Sequence, residues 1–259
     1  MAKFDYWIIA ALLFVAQIAH AGGISDTGVN AYWGSDSHGK GDVIGGSVYE
    51  IAGASISRVG SVLTVVIQTN FAGHAGIDSW AAAKGIGYGD VFLSQSWNPY
   101  GNDAHHSGDK ASNGTKWNWG FSLDNRWSNQ GGSFRLYELK GTNAQTIRNS
   151  DYYIDCNGCT FRDGQATGVK TSASAYVKDL GKNGIWTVLD NKELRFTIDV
   201  ASTDLMSFSA FAMHWGETCQ NDAIEGFASV VPTPDSLSLL LIGLLTLATA
   251  RLSRAHFRS

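Results

Sequence analysis

Ile185-Trp-Thr-Val-Leu189, Asp190-Asn-Lys-Glu193 and Leu194-Arg-Phe-Thr-Ile-Asp-Val200 decide the fold. Two β-rich runs flank four turn-forming residues, and in the second run the side chains alternate. Leu194, Phe196, Ile198 and Val200 point one way; Arg195, Thr197 and Asp199 point the other. Period-2 alternation bounded by Asp and Asn is the signature of a β-hairpin with one buried face.

Working outward, Val48–Ile56 and Val62–Phe71 read as strands joined by Ser57-Arg-Val-Gly-Ser61. In the second of these, Leu63, Val65 and Ile67 share one face, and Thr64, Val66 and Gln68 the other. Asp90–Ser94, Trp117–Leu123, Ser133–Leu139 and Phe208–Trp215 follow as further strands, the last of them apolar on both faces except for His214. Trp80-Ala-Ala-Ala83 reads as one helical turn in a loop, and no amphipathic helix is predicted elsewhere in the body. Short strands with frequent turns predict an all-β, antiparallel, jelly-roll-like β-sandwich. No motif repeats at a fixed period.

Both ends differ from this body. Lys3 precedes an apolar run from Trp7 to Ala16, and Ala19-His20-Ala21 supplies a small-x-small cleavage site, as in a secretory signal peptide over residues 1–21. At the other end, Pro232-Thr233-Pro234 precedes fourteen uncharged residues, Leu237 to Ala250, and a basic end, 251–259, with Arg251, Arg254 and Arg258. A bilayer-spanning helix needs about 20 residues, with about 17 as the lower limit. The tail is therefore expected to be a single C-terminal transmembrane helix of marginal length, a transient anchor with its arginines held in the cytoplasm. The body, residues 22–231, would then lie across the inner membrane, delivered there by the secretory translocon.

Without its ends the body carries 15 basic and 21 acidic residues, a net charge of −6. An acidic surface without a basic stripe argues against nucleic acid as a partner. Hydrated polysaccharide and divalent cations remain compatible with it.

The proline motif, apolar helix and arginine cluster resemble the PEP-CTERM sorting signal of Gram-negative bacteria. Val231, Pro232, Thr233, Pro234, Asp235, Ser236 and Leu237 occupy the places of the family's Val-Pro-Glu-Pro and following Ser/Ala-Leu pair, with Thr233 where Glu is usual. Met213-His-Trp-Gly-Glu-Thr-Cys-Gln-Asn-Asp-Ala-Ile-Glu-Gly226 and Gly89–Ser94 are similar to segments of other exosortase-dependent surface proteins, with Gln220 in place of a Gly. The resemblance implies an exosortase-type protease as partner, cleavage near the motif, and final residence at the cell surface or in the extracellular polysaccharide of a biofilm matrix. It implies no activity.

Candidate chemistry is sparse. Trp97 with Tyr100, and Trp127 beside Asn125 and Asn129, are loop aromatics next to polar groups, the usual surface for stacking a sugar ring. Trp117, Trp119, Trp186 and Trp215 are expected in the core. No cofactor is expected, apart from calcium as the one ion that carboxylates and amides at strand ends would suit. Asn221, Asp222 and Glu225 are the first choice, with Asp42, Asp90, Asp124 and Asn125 in similar positions. Asp103, His105, His106 and Asp109 crowd the longest loop and read chiefly as solvated polar residues. Cys156 and Cys159 have the spacing of a local loop disulfide, pairing of either with Cys219 being the alternative. No nucleophile elbow, zinc-protease motif or phosphate loop occurs, so a non-catalytic protein is expected.

Overall fold

The computed structural model describes residues 22–26, 43, 46–100, 110–159 and 161–232. The expected signal peptide, the apolar helix 237–250 with its basic end, and the Asp103–Asp109 cluster lie outside these residues, as does Asp42. Among the described residues no helix is long and apolar enough to cross a membrane.

The described part of the chain is almost wholly β. Its strands are β1 Gly23–Ser25, β2 Ile51–Val59, β3 Val62–Thr69, β4 Val91–Ser94, β5 Trp119–Leu123, β6 Gly131–Leu139, β7 Ile147–Asn149, β8 Ala166–Val169, β9 Val177–Leu189, β10 Glu193–Asp199, β11 Ala210–Gly216, β12 Ala223–Ser229 and β13 Val231–Pro232. One α-helical turn, α1, spans Asn143–Thr146. Ten strands form one antiparallel sheet in the order β1-β2-β3-β10-β9-β6-β5-β4-β11-β12, and β13 adds to β2 in parallel. This is an antiparallel fold of the sandwich or barrel-like kind.

The sheet curls until its ends meet. A Cβ added at Gly226 in β12 would lie 2.9 Å from the Ile24 side chain in β1, and one at Gly22 would lie 2.8 Å from Ser229. Only glycine permits so close an approach. The curl gives every strand from β2 to β12 in the sheet an inward face, which explains the alternation in the sequence. Leu63, Val65 and Ile67 of β3 share the core with Leu194, Phe196 and Ile198 of β10 and Phe211, Met213 and Trp215 of β11. Trp186 is fully buried among Tyr88 and Phe196, with ring centroids 5.2 Å and 6.3 Å away.

The hairpin that decided the reading is present. β9 and β10 pair with Leu189 opposite Glu193 and Phe196 opposite Trp186. Asp190 and Asn191 turn the chain at φ 50° and 51°, a left-handed conformation that Asp and Asn tolerate better than most residues.

Several expectations change. β9 begins at Val177, eight residues before the predicted run. Ala223–Ser229 is a strand, so Phe208–Trp215 is not the last one. Trp80–Ala83 makes turns, not a helical turn. Trp117 precedes β5 and packs away from Trp119, Phe121 and Leu123. It joins Phe92, Ala212 and Val169 in a second cluster on the outer face, roofed by the β7–β8 hairpin.

Candidate functional site

β11 and β12 pair His214 directly opposite Glu225. Both side chains point to the outer face, because their neighbours Trp215 and Ile224 point into the core. The roof of β7–β8 seals them in, so both are buried. His214 Nδ1 lies 3.0 Å from Glu225 Oε2, and Nε2 lies 2.7 Å from the Ala166 carbonyl. Each ring nitrogen thus meets an acceptor. Phe92 and Trp117 pack against the imidazole, at 6.3 Å and 5.7 Å between ring centres.

The second oxygen of Glu225 faces the loop after β4. Trp97 donates its indole N–H to Oε1 at 2.9 Å, and Thr115 Oγ1 lies 3.2 Å from the same atom. The Thr115 hydroxyl also accepts from the Asn98 backbone N–H at 3.0 Å. Trp97 therefore has one edge fixed on a buried carboxylate, while 39% of its surface is exposed, and Tyr100 nearby in sequence is exposed. This is an oriented aromatic platform, able to stack an apolar ring face.

The other loop aromatic is used differently. Trp127 Nε1 donates to the Gly85 carbonyl at 3.0 Å, Lys84 Nζ lies 4.9 Å over its ring, and Gly87 sits beneath it. Asn125 is exposed, and its carbonyl takes the Ser128 N–H in a turn. No contact links Trp127 or Asn125 to Trp97 among the described residues. Asn129 holds the Ala75 backbone through both ends of its amide, at 2.7 Å and 3.0 Å.

The oxygens of Asn221, Asp222 and Glu225 do not meet. Strand alternation turns Asp222 away from Glu225. Asp222 accepts from the backbone N–H of Ile51 at 2.7 Å and of Ala223 at 2.8 Å. Among the described residues no three His, Cys, Asp or Glu side chains gather as a metal site. Glu217, which sequence reasoning passed over, is fully buried beside Asp222, and burial holds its carboxyl well above the usual range. Among the described residues its Oε1, with Gln220 Oε1 and Asn221 Oδ1, has no hydrogen-bond partner.

Asp90 ties three elements together. It accepts from the N–H groups of Leu123 (3.0 Å) and Val169 (2.7 Å) and from Arg126 Nη2 (2.9 Å). Burial pulls the Arg126 guanidinium down, but Asp90 and Tyr153 together outweigh this and hold it above its ordinary value. Asp124 accepts from the Ser133 hydroxyl at the mouth of the β5–β6 turn. Cys156 and Cys159 form a disulfide, and Cys219 is a buried free thiol that burial keeps protonated.

Comparison with protein-family models, curated proteins and solved structures finds no match.

Proposed function

We propose that the chain is an exported, non-catalytic component of the cell surface or extracellular matrix, sorted by exosortase-type processing of its tail. The observation that carries this reading is the path of the chain out of the body. β12 runs directly into β13, where Val231 pairs with Ser57 and Pro232 with Arg58. The first two residues of the PEP-CTERM-like motif are thus part of the sheet. The rest of the motif, from Thr233 through Pro234, Ser236 and Leu237 to Arg251 and Arg254, follows in the sequence and lies outside the described residues. Processing beyond Pro232 would leave the body's last strand intact. The long-range pairing of β3 with β10, with that of β6 with β9 nested inside it, is the ground for reading the fold as jelly-roll-like. A body whose buried acids hold backbone amides suits a scaffold.

Membrane contact in this reading is transient, and the route begins at the secretory translocon with cleavage after Ala21. Deleting residues 233–259 tests it. The full chain should be recovered from the cell surface or medium, and the truncated chain should lose surface retention while keeping its fold. Equal distribution of the two overturns the reading.

A second reading, a carbohydrate-binding module for extracellular polysaccharide, is favoured by the clamped and exposed Trp97 beside Tyr100. Calcium assistance would need oxygens other than the Asn221, Asp222 and Glu225 set.

A further inference from the structure

β7, the turn after it and the start of the β8 connection enclose an open groove of about 530 Å³. Its floor is apolar, from Ala111 and Ile147, which are buried under the outer-face cluster. Arg148, Tyr152, Lys170 and Asn149 form its polar sides. The Arg148 guanidinium carbon lies 4.2 Å from the centre of the Tyr152 ring. That contact orients the fork before any ligand arrives, which reduces the ordering cost of binding. Tyr152 still has 60% of its surface exposed.

Two described acids flanking the groove in sequence, Asp151 and Asp163, are already engaged. Asp151 Oδ2 accepts from Asn149 Nδ2 at 2.6 Å and from the Gly164 N–H at 2.9 Å. Asp163 pairs with Lys110 at 2.6 Å. Among the described residues neither Arg148 nor Lys170 has a carboxylate within salt-bridge distance. Two cations on an acidic chain thus border one groove, with an exposed phenol ring against the guanidinium.

We propose that this groove binds a carboxylated saccharide, a uronic-acid oligomer. The planar fork of Arg148 suits a carboxylate, Lys170 supplies a second charge, and Tyr152 offers a surface to the C–H side of a sugar ring. An open groove accepts a chain passing through, where a closed pocket would select a small metabolite. The inference deepens the matrix reading and rests on it for where such a polymer is met. It uses none of the loop aromatics Trp97, Tyr100 and Trp127.

Calorimetry on the full-length chain in detergent, with hexagalacturonate as probe and maltohexaose and inorganic phosphate as controls, tests it. Hexagalacturonate should bind, more weakly as salt rises, and maltohexaose should not. Arg148→Gln and Tyr152→Ala should each weaken binding about tenfold or more, with Lys170→Gln following the same direction. Lys170 is exposed, so that variant keeps its fold. No binding of hexagalacturonate, equal binding of maltohexaose, or phosphate competing as a bare anion overturns the proposal. Binding that survives all three variants but falls with Trp97→Ala moves the ligand elsewhere and leaves the matrix reading intact. Failed surface delivery with groove binding preserved would do the opposite.

Discussion

Trp97 donates its indole N–H to Glu225 Oε1 at 2.9 Å, joining a loop aromatic to a strand carboxylate 128 residues later in the chain. The other oxygen of Glu225 holds His214. One carboxylate therefore serves both the platform and the buried imidazole. Its removal is expected to cost stability and platform order together. Glu225→Ala should destabilise the chain by about 1–3 kcal/mol, the range for leaving buried hydrogen-bond partners unmet. Trp97→Ala should cost less, since its ring is partly exposed. Urea denaturation compares them, and a Glu225→Ala variant as stable as the parent contradicts the assignment.

Asp90 and Arg126 fasten the β5–β6 turn to β8 and to the strand entry at Tyr88. Asp90→Ala strands a buried guanidinium and two backbone donors, at a cost of about 3–5 kcal/mol. Adding Arg126→Met removes the stranded charge, so the double variant should be more stable than Asp90→Ala alone. A double variant showing the sum of both losses would mean the pair is not coupled.

Glu217 sets a pH dependence. Burial raises its folded-state pKa above the unfolded value, near 4.3 for glutamate. The folded chain then holds the proton where the unfolded chain has released it. Stability is full below the unfolded pKa and falls as pH rises toward the folded one. Glu217→Gln keeps the shape without the ionisation. It should flatten the decline and gain about 1–3 kcal/mol at neutral pH, the scale of an unmet buried polar group. Melting curves from pH 4 to 8 check this; parallel curves for both proteins would falsify it.

The cysteines predict a thiol count. Cys219 is buried and its thiol held protonated, and the other two are paired. Alkylation should label no cysteine in the native chain and one in denaturant. Cys156→Ser with Cys159→Ser should cost roughly 2 kcal/mol or less, because the closed loop is short. Three labelled thiols in denaturant without reductant would exclude the bridge.

The sequence disclosed strands wherever one face is buried and the other wet. β3 and β10 alternate because water reaches one side of them. β12 was not legible for the opposite reason. Ala223, Ile224, Glu225 and Gly226 are all buried, so there is no alternation, and an acidic residue there looks like a loop until its partner His214 is in place. The first half of β9, with Lys178, Asp179, Gly181, Lys182 and Asn183, is largely exposed and interrupted by a glycine, and its sequence resembles a turn. In the sites, loop aromatics could be picked by type, but not the bond that orients Trp97. The groove of Arg148, Tyr152 and Lys170 depends on β7 and β8 meeting, which no local pattern announces.

The central claim concerns the tail, whose motif begins as a strand paired with Ser57 and Arg58. Mass spectrometry of the C-terminal peptide, on protein isolated from its own cells, addresses it directly. The account predicts a mature chain ending close to the Val231–Pro234 motif; a chain ending at Ser259 would contradict it.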